Sequence, residues 1–194
     1  MIGQRRRSRN PAYGLGLLLS ALLWCTAGWA TEVTAAPEDE PILLGPLTRE
    51  EIEIAMPDWI LAEVQARPDV GAAGAMVAAL SGAEVTVFLG TWCSDSGREL
   101  PRLWRALDEV GVLDPPEIRY IGVDRGIKEP AAYVAGKDLK LVPTFVVTRA
   151  GLEAGRIVES SPDGIERDLL ALLRGERTGV ISGSEDLEAE RDGH

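Results

Sequence analysis

Few side chains in this sequence of 194 residues can do covalent chemistry, and they converge on one motif, Trp92-Cys93-Ser94-Asp95-Ser96. A cysteine reacts as its thiolate, and a thiolate is favoured at the start of a helix, where several backbone N–H groups lack an intrahelical partner. Cys93 stands at such a junction, with an apolar, β-branched run before it and helical spacing after it. Three residues on, Ser96 supplies a hydroxyl that can hydrogen-bond a thiolate but cannot form a disulfide with it. Asp95 places a carboxylate between the two. Its charge opposes thiolate formation, while an acid in the first helical turn also suits the helix dipole. The second cysteine, Cys25, lies in an apolar N-terminal stretch, and the sole histidine, His194, is the last residue. A Cys–His catalytic pair and a histidine or thiolate metal site therefore lack their members, and no metal is expected. No glycine-rich phosphate loop occurs.

Cys93 must be positioned by a strand that ends just before it and a helix that starts just after it. Glu84 to Gly90 is bounded by Gly82 and Gly90 and reads as a buried strand. From Ser94 to Val110 the spacing turns helical, with Leu100, Leu103, Trp104 and Leu107 on one face. A strand at Ile118–Asp124, a short helix at Pro130–Gly136 and a strand at Thr144–Thr148 follow. The turn pair Ala150-Gly151 leads to a strand at Gly155–Glu159, and Asp163–Leu173 closes as an amphipathic helix. The order βαβα then ββα predicts an α/β domain over residues 84–174, with a central mixed sheet flanked by helices. Trp104 and Tyr133 read as packing residues, and Asp124 as a turn or cap residue. Residues 47–83 read as an N-terminal helical extension. Thr48 and Glu51 form a capping-box pattern, Pro57 separates one or two short helices, and the alanines and glycines of Val70–Leu80 suit a closely packed third helix.

The two ends differ in charge. Arg5, Arg6, Arg7 and Arg9 precede an apolar run from Leu15 to Trp24 and the small residues around Ala27–Ala30, and no acid occurs before Glu32. That is the three-part pattern of a signal peptide over residues 1–30, with cleavage after Ala30 or Ala36. The chain is expected to be exported, periplasmic or extracellular, and to touch a membrane only if the signal segment is retained. Residues 31–46 read as a linker and 175–194 as an acidic disordered tail. The net charge of −11 becomes more negative still once the N-terminal arginines are removed. Phosphate backbones repel such a body, so no nucleic-acid partner is expected.

An apolar strand ending in Trp92-Cys93, a helix, and Val142-Pro143-Thr144 before a hairpin and a last helix resemble the thioredoxin superfamily. More narrowly, Gly90-Thr91-Trp92-Cys93-Ser94-Asp95-Ser96 with Val142-Pro143-Thr144-Phe145 and Gly155-Arg156-Ile157-Val158-Glu159 is similar to bacterial thioredoxin-like proteins with a single cysteine. The resemblance implies the thioredoxin fold over about Glu84 to Leu173. It also implies that Pro143 faces Cys93 in a cis peptide and that the Val142 backbone is free to pair with an extended substrate. Trp92, Asp95 and Thr144 would flank the substrate. In such proteins the first cysteine of Cys-x-x-Cys attacks a disulfide and the second releases it. Ser96 takes the second position here, and Val87 stands where thioredoxins carry a buried acid.

Two functions fit these residues. In one, the chain is a monothiol thiol–disulfide oxidoreductase or isomerase that forms a mixed disulfide at Cys93 with a thiol- or disulfide-containing protein or small thiol. It needs no bound cofactor, and an external thiol such as glutathione would release the adduct. In the other, it is a non-catalytic module that holds an extended peptide beside Trp92 and Pro143.

Overall fold

A computed structural model of the chain describes residues 41–183. The signal peptide and most of the linker expected at the N-terminus, and residues 184–194 of the expected tail, lie outside the described residues. Twelve elements follow in the order β1 (Gly45–Leu47), α1 (Arg49–Ala55), α2 (Trp59–Gln65), α3 (Val70–Ala79), β2 (Ala83–Leu89), α4 (Ser94–Glu109), β3 (Ile118–Gly122), α5 (Ala131–Val134), β4 (Thr144–Arg149), β5 (Leu152–Val158), α6 (Ile165–Arg174) and β6 (Gly179–Ile181). The strands form one mixed sheet in the order β1-β3-β2-β4-β5-β6. β2 runs parallel to β3 and β5 parallel to β6, and the other neighbours are antiparallel. This is the α/β architecture, a mixed sheet flanked by helices, that the sequence predicts.

Local chemistry explains the helix limits. Thr48 Oγ1 accepts from the Glu51 N–H at 3.2 Å while Glu51 Oε2 accepts from the Thr48 N–H at 2.8 Å, so the capping box forms at the start of α1. Pro57 falls between α1 and α2, and Asp69 caps α3 through the Ala72 N–H at 3.0 Å. Gly97 allows α4 to approach α2, because a Cβ there would lie 2.8 Å from Nε1 of Trp59.

The pleat divides the strands between two apolar clusters. Val85, Val87 and Leu89 of β2, Tyr120 of β3 and Phe145 and Val147 of β4 point to the larger, which α1, α2, α3, α4 and α6 fill with Ile52, Trp59, Met76, Leu103, Trp104 and Leu169. Phe88, Ile121 and Val146 point the other way, where Val134 of α5 and Val142 cover them. Trp104 is buried as expected and donates from Nε1 to the Tyr120 hydroxyl at 3.1 Å. Tyr133, expected to pack, instead leaves 39% of its surface in solvent on the outer side of α5.

The sheet extends past both sequence-based limits. Gly45 and Pro46, within the segment read as a linker, and Leu47, read as the start of the helical extension, pair with Gly122, Ile121 and Tyr120 along the free edge of β3. Leu47 then packs against the larger cluster, so the fold begins before Leu47. Within the segment read as a disordered tail, Gly175 ends α6 in the left-handed region at φ 70° and the chain returns to pair β6 with β5. Ile181 enters the larger cluster. Arg177 fastens this return to the buried Asp168 at 3.0 Å and to Asp163 at 3.3 Å. Burial pushes the Asp168 carboxyl above its ordinary value, against the hydrogen bond from the Asp163 N–H.

Candidate active site

β2 ends at Leu89, and Gly90, Thr91 and Trp92 turn the chain into α4, where Cys93 is the N-cap residue. The Cys93 N–H donates to Gly90 O at 3.0 Å and the Gly97 N–H to Cys93 O at 3.1 Å, which fixes the backbone on both sides of the sulfur. The thiol does not cap its own helix. It donates to Val142 O at 3.1 Å, across a gap of 49 residues in sequence. The Val142–Pro143 peptide is cis, and Pro143 is buried beside the start of β4. Sequence reasoning thus names two segments that the fold does bring into contact.

Ser96 has a different place from the one its spacing suggested. It is fully buried, and its Oγ accepts from the Gly90 N–H at 3.2 Å. The hydroxyl holds the turn that presents Cys93 and is not bonded to the sulfur. Thr144 is likewise turned inward: its hydroxyl donates to Leu141 O at 2.6 Å and braces the loop that carries Val142. Neither side chain presents a surface to a substrate.

The carboxylate of Asp95, expected to oppose a thiolate by its charge, is engaged by Arg98 one turn along α4. The same guanidinium donates from Nε to Glu99 Oε1 at 2.8 Å and from Nη2 to Glu159 O at 3.3 Å. Glu99 is buried and also accepts from Arg102 at 3.0 Å. Burial acts to lower the basicity of Arg98, but the bonds to Glu99 and Asp95 outweigh it and hold the group above its ordinary value. Asp95 therefore reaches the site as half of an ion pair, not as a bare charge.

Trp92 is half-buried beside the sulfur, with Nε1 donating to Val123 O at 3.1 Å. Gly90 makes this possible, because a Cβ there would fall 2.5 Å from the indole ring. The guanidinium of Arg125 lies over the outer face of the same ring, 5.5 Å from its centroid. Asp124 does act as a turn residue. Its carboxylate accepts from the N–H groups of Gly126, Lys128 and Glu129 at 3.1, 2.6 and 2.8 Å, and these bonds, led by Glu129, hold it below the ordinary aspartate value. Val87 is fully buried among apolar residues beneath the motif.

Three residues of the site went unread in the sequence. Arg98 is three residues after Asp95, a spacing that signals a helical ion pair. Arg125 gives no such signal, since its ring partner is 33 residues away. Thr91 is buried and donates to Pro41 O at 2.5 Å while accepting from the Leu43 N–H at 3.3 Å, so the segment leading into β1 is tied down two residues from Cys93.

No family model matches the chain, and no curated protein or solved structure matches it either. Among the described residues no helix is long and apolar enough to cross a membrane.

Proposed function

We propose that the domain has the thioredoxin fold and exchanges thiols and disulfides through Cys93 as a monothiol oxidoreductase or isomerase. The observation that carries this reading is the Cys93 sulfur at the first turn of α4, part-exposed, 3.1 Å from the main-chain oxygen of Val142. A free cysteine that merely filled the core would not be placed at a helix start, where unpartnered N–H groups stabilise sulfur anions. The element order from β2 to α6 and the β3-β2-β4-β5 arrangement support the fold.

In this mechanism the Cys93 thiol gives up its proton and the thiolate attacks one sulfur of a substrate disulfide. A bond forms from Cys93 to that sulfur, and the other sulfur leaves as a thiolate. Because Ser96 is buried and carries no thiol, release comes from outside the chain. In one route a glutathione thiolate attacks the Cys93 sulfur, the substrate leaves fully reduced, and a second glutathione attacks the resulting Cys93–glutathione disulfide, freeing the Cys93 thiolate and forming oxidised glutathione. In the other, a different thiol of the substrate attacks the substrate's sulfur in the mixed disulfide, freeing Cys93 and leaving the substrate with a rearranged disulfide. Ser96 acts by holding Gly90, and Arg98 by neutralising Asp95. Substrates are disulfide- or thiol-containing proteins or small thiols. The setting is an oxidising compartment reached by export.

The test is glutathione-coupled reduction of hydroxyethyl disulfide by wild type and Cys93→Ser, with trapping of the mixed disulfide on the wild type. Turnover should fall to background in the variant, and a glutathione adduct should be found on Cys93 alone. Equal rates for the two proteins would sink the catalytic reading and leave the peptide-binding module.

A further inference from the structure

Charge is distributed unevenly over the described residues. Arg49, Arg98, Arg102, Arg105, Arg119, Arg156, Arg167, Arg174 and Arg177 each sit within ion-pair distance of a carboxylate. Arg67 and Arg149 are spent on backbone carbonyls. Arg125 and Lys128 differ from these, and both fall on the connection from β3 to β4.

Arg125 and Lys128 are exposed, and among the described residues neither has a carboxylate within ion-pair distance. Arg125 spends its positive charge on the Trp92 ring, beside Cys93. Two acids of the same loop are held by backbone donors, although Glu129, like Asp138 further along the connection, is exposed. Asp124 accepts from three backbone N–H groups, and Glu129 Oε2 accepts from the Ala131 N–H at 2.9 Å. Ile127 anchors the loop against the same apolar cluster as Trp92, Cys93 and Val142, so Lys128 projects from a segment packed on the sulfur's own surroundings. A protein of net charge −11 thus presents, among its described residues, two cations without a carboxylate partner on the loop beside its one described thiol.

We infer that Arg125 and Lys128 select an extended acidic polypeptide segment, one with Asp or Glu beside its cysteine, and bring it to Cys93. This inference rests on the thiol-exchange reading above and names its substrate class. The acidic remainder of the molecule repels such a segment everywhere else, so approach is steered to this rim. A polypeptide is favoured over a lipid headgroup because the loop borders a main-chain acceptor, Val142 O, and an aromatic ring, groups that suit a peptide.

The experiment uses the full chain, two fluorescent peptides carrying activated disulfides, and a neutral small disulfide. One is a ten-residue peptide with Glu beside its cysteine and one is the same peptide with Lys, while hydroxyethyl disulfide serves for normalisation within each variant. Wild type should form its mixed disulfide with the Glu peptide at least about tenfold faster than with the Lys peptide at low salt. The preference should vanish in about 1 M salt, where the Debye length is about 3 Å. Arg125→Glu/Lys128→Glu should reverse it, and Lys128→Glu, which leaves the Arg125–Trp92 contact in place, should reduce it. Equal rates for both peptides in wild type, while the neutral disulfide still reacts, overturn the inference and leave the exchange reading standing. If no disulfide reacts, the exchange reading falls. Anisotropy of a cysteine-free Glu peptide then decides the docking: salt-sensitive binding lost in Lys128→Glu upholds it, and no binding overturns it. Binding to vesicles of equimolar phosphatidylserine and phosphatidylcholine in place of the peptide also overturns it.

Discussion

On one face of the sheet, five helices press Ile52, Trp59, Met76, Leu103, Trp104 and Leu169 onto Val85, Val87, Leu89, Phe145 and Val147. On the other, the single turn of α5 and the loops around it cover Phe88, Ile121 and Val146 with little more than Val134 and Val142. The Cys93 thiol, Trp92 and the cations beside them belong to the second, thinner face. Stability scales with apolar area removed from water, so most of it must come from the first face. The thinner face is then free to carry exposed, reactive or mobile groups at small cost to the fold.

The largest effect should come from Trp104→Ala. The indole is buried, lies 6.3 Å from the Trp59 ring and 6.2 Å from the Tyr120 ring, and donates to the Tyr120 hydroxyl. Losing it should cost about 4 kcal/mol in urea unfolding. The folded fraction should alkylate at Cys93 at the wild-type rate. An altered Cys93 rate in folded Trp104→Ala would show that the two faces are coupled and break the comparison.

Arg49→Met comes next. Arg49 joins three helices, with Glu53, Glu63 and Asp108 at 2.5, 2.9 and 2.6 Å, while its guanidinium lies over Trp104 at 5.3 Å. The hydrogen bond from Arg49 holds the Asp108 carboxyl below its ordinary value, and burial raises that of Glu63 against the pull of Arg49. Removing the cation should cost about 3 kcal/mol near neutral pH by stranding these acids. A lowered carboxyl contributes stability above its unfolded value and loses it as pH falls through the folded one. The deficit of Arg49→Met should therefore shrink in acid, and a deficit flat from neutral pH down to about pH 2 would refute the ionic account.

What could be read along the chain follows the same division. The deep face rests on local signals: alternating strands, the capping box at Thr48, and the helical spacing of Leu100, Leu103, Trp104 and Leu107. Strands β1 and β6 were missed because three residues carry no period, and they pair only because β3 and β5 offer open edges. At the site, Cys93 at the start of α4 was legible from the strand-to-helix switch. The partners of Ser96 and Thr144 were not, since Gly90 and Leu141 meet them through main-chain atoms that every residue shares. The contact between Arg125 and Trp92 forms only after β2 and β3 align.

On the thinner face, Val134→Ala removes two methyl groups from a cluster with few members. The cost should be about 1 to 2 kcal/mol, less than for the deep-face change. The more telling readout is Cys93, which should alkylate a few-fold faster as its cover loosens. An unchanged alkylation rate would mean that α5 supports the sheet without governing access to the sulfur.

The smallest effect is expected from Asp124→Asn. Asp124 touches no part of the deep face, yet its carboxylate organises the loop that carries Arg125 and Lys128. Because backbone N–H groups hold its carboxyl below the ordinary value, its contribution is fully present above that value and disappears as pH falls through the folded one. The stability difference between wild type and Asp124→Asn should therefore be small near neutral pH and close towards zero in acid. Loosening this loop should also weaken the Arg125 contact with Trp92, so the indole fluorescence of the variant at neutral pH should match that of the wild type in acid. A variant that keeps the wild-type spectrum at every pH would show that the loop holds its shape without Asp124, leaving Ile127 and the apolar cluster as its anchor.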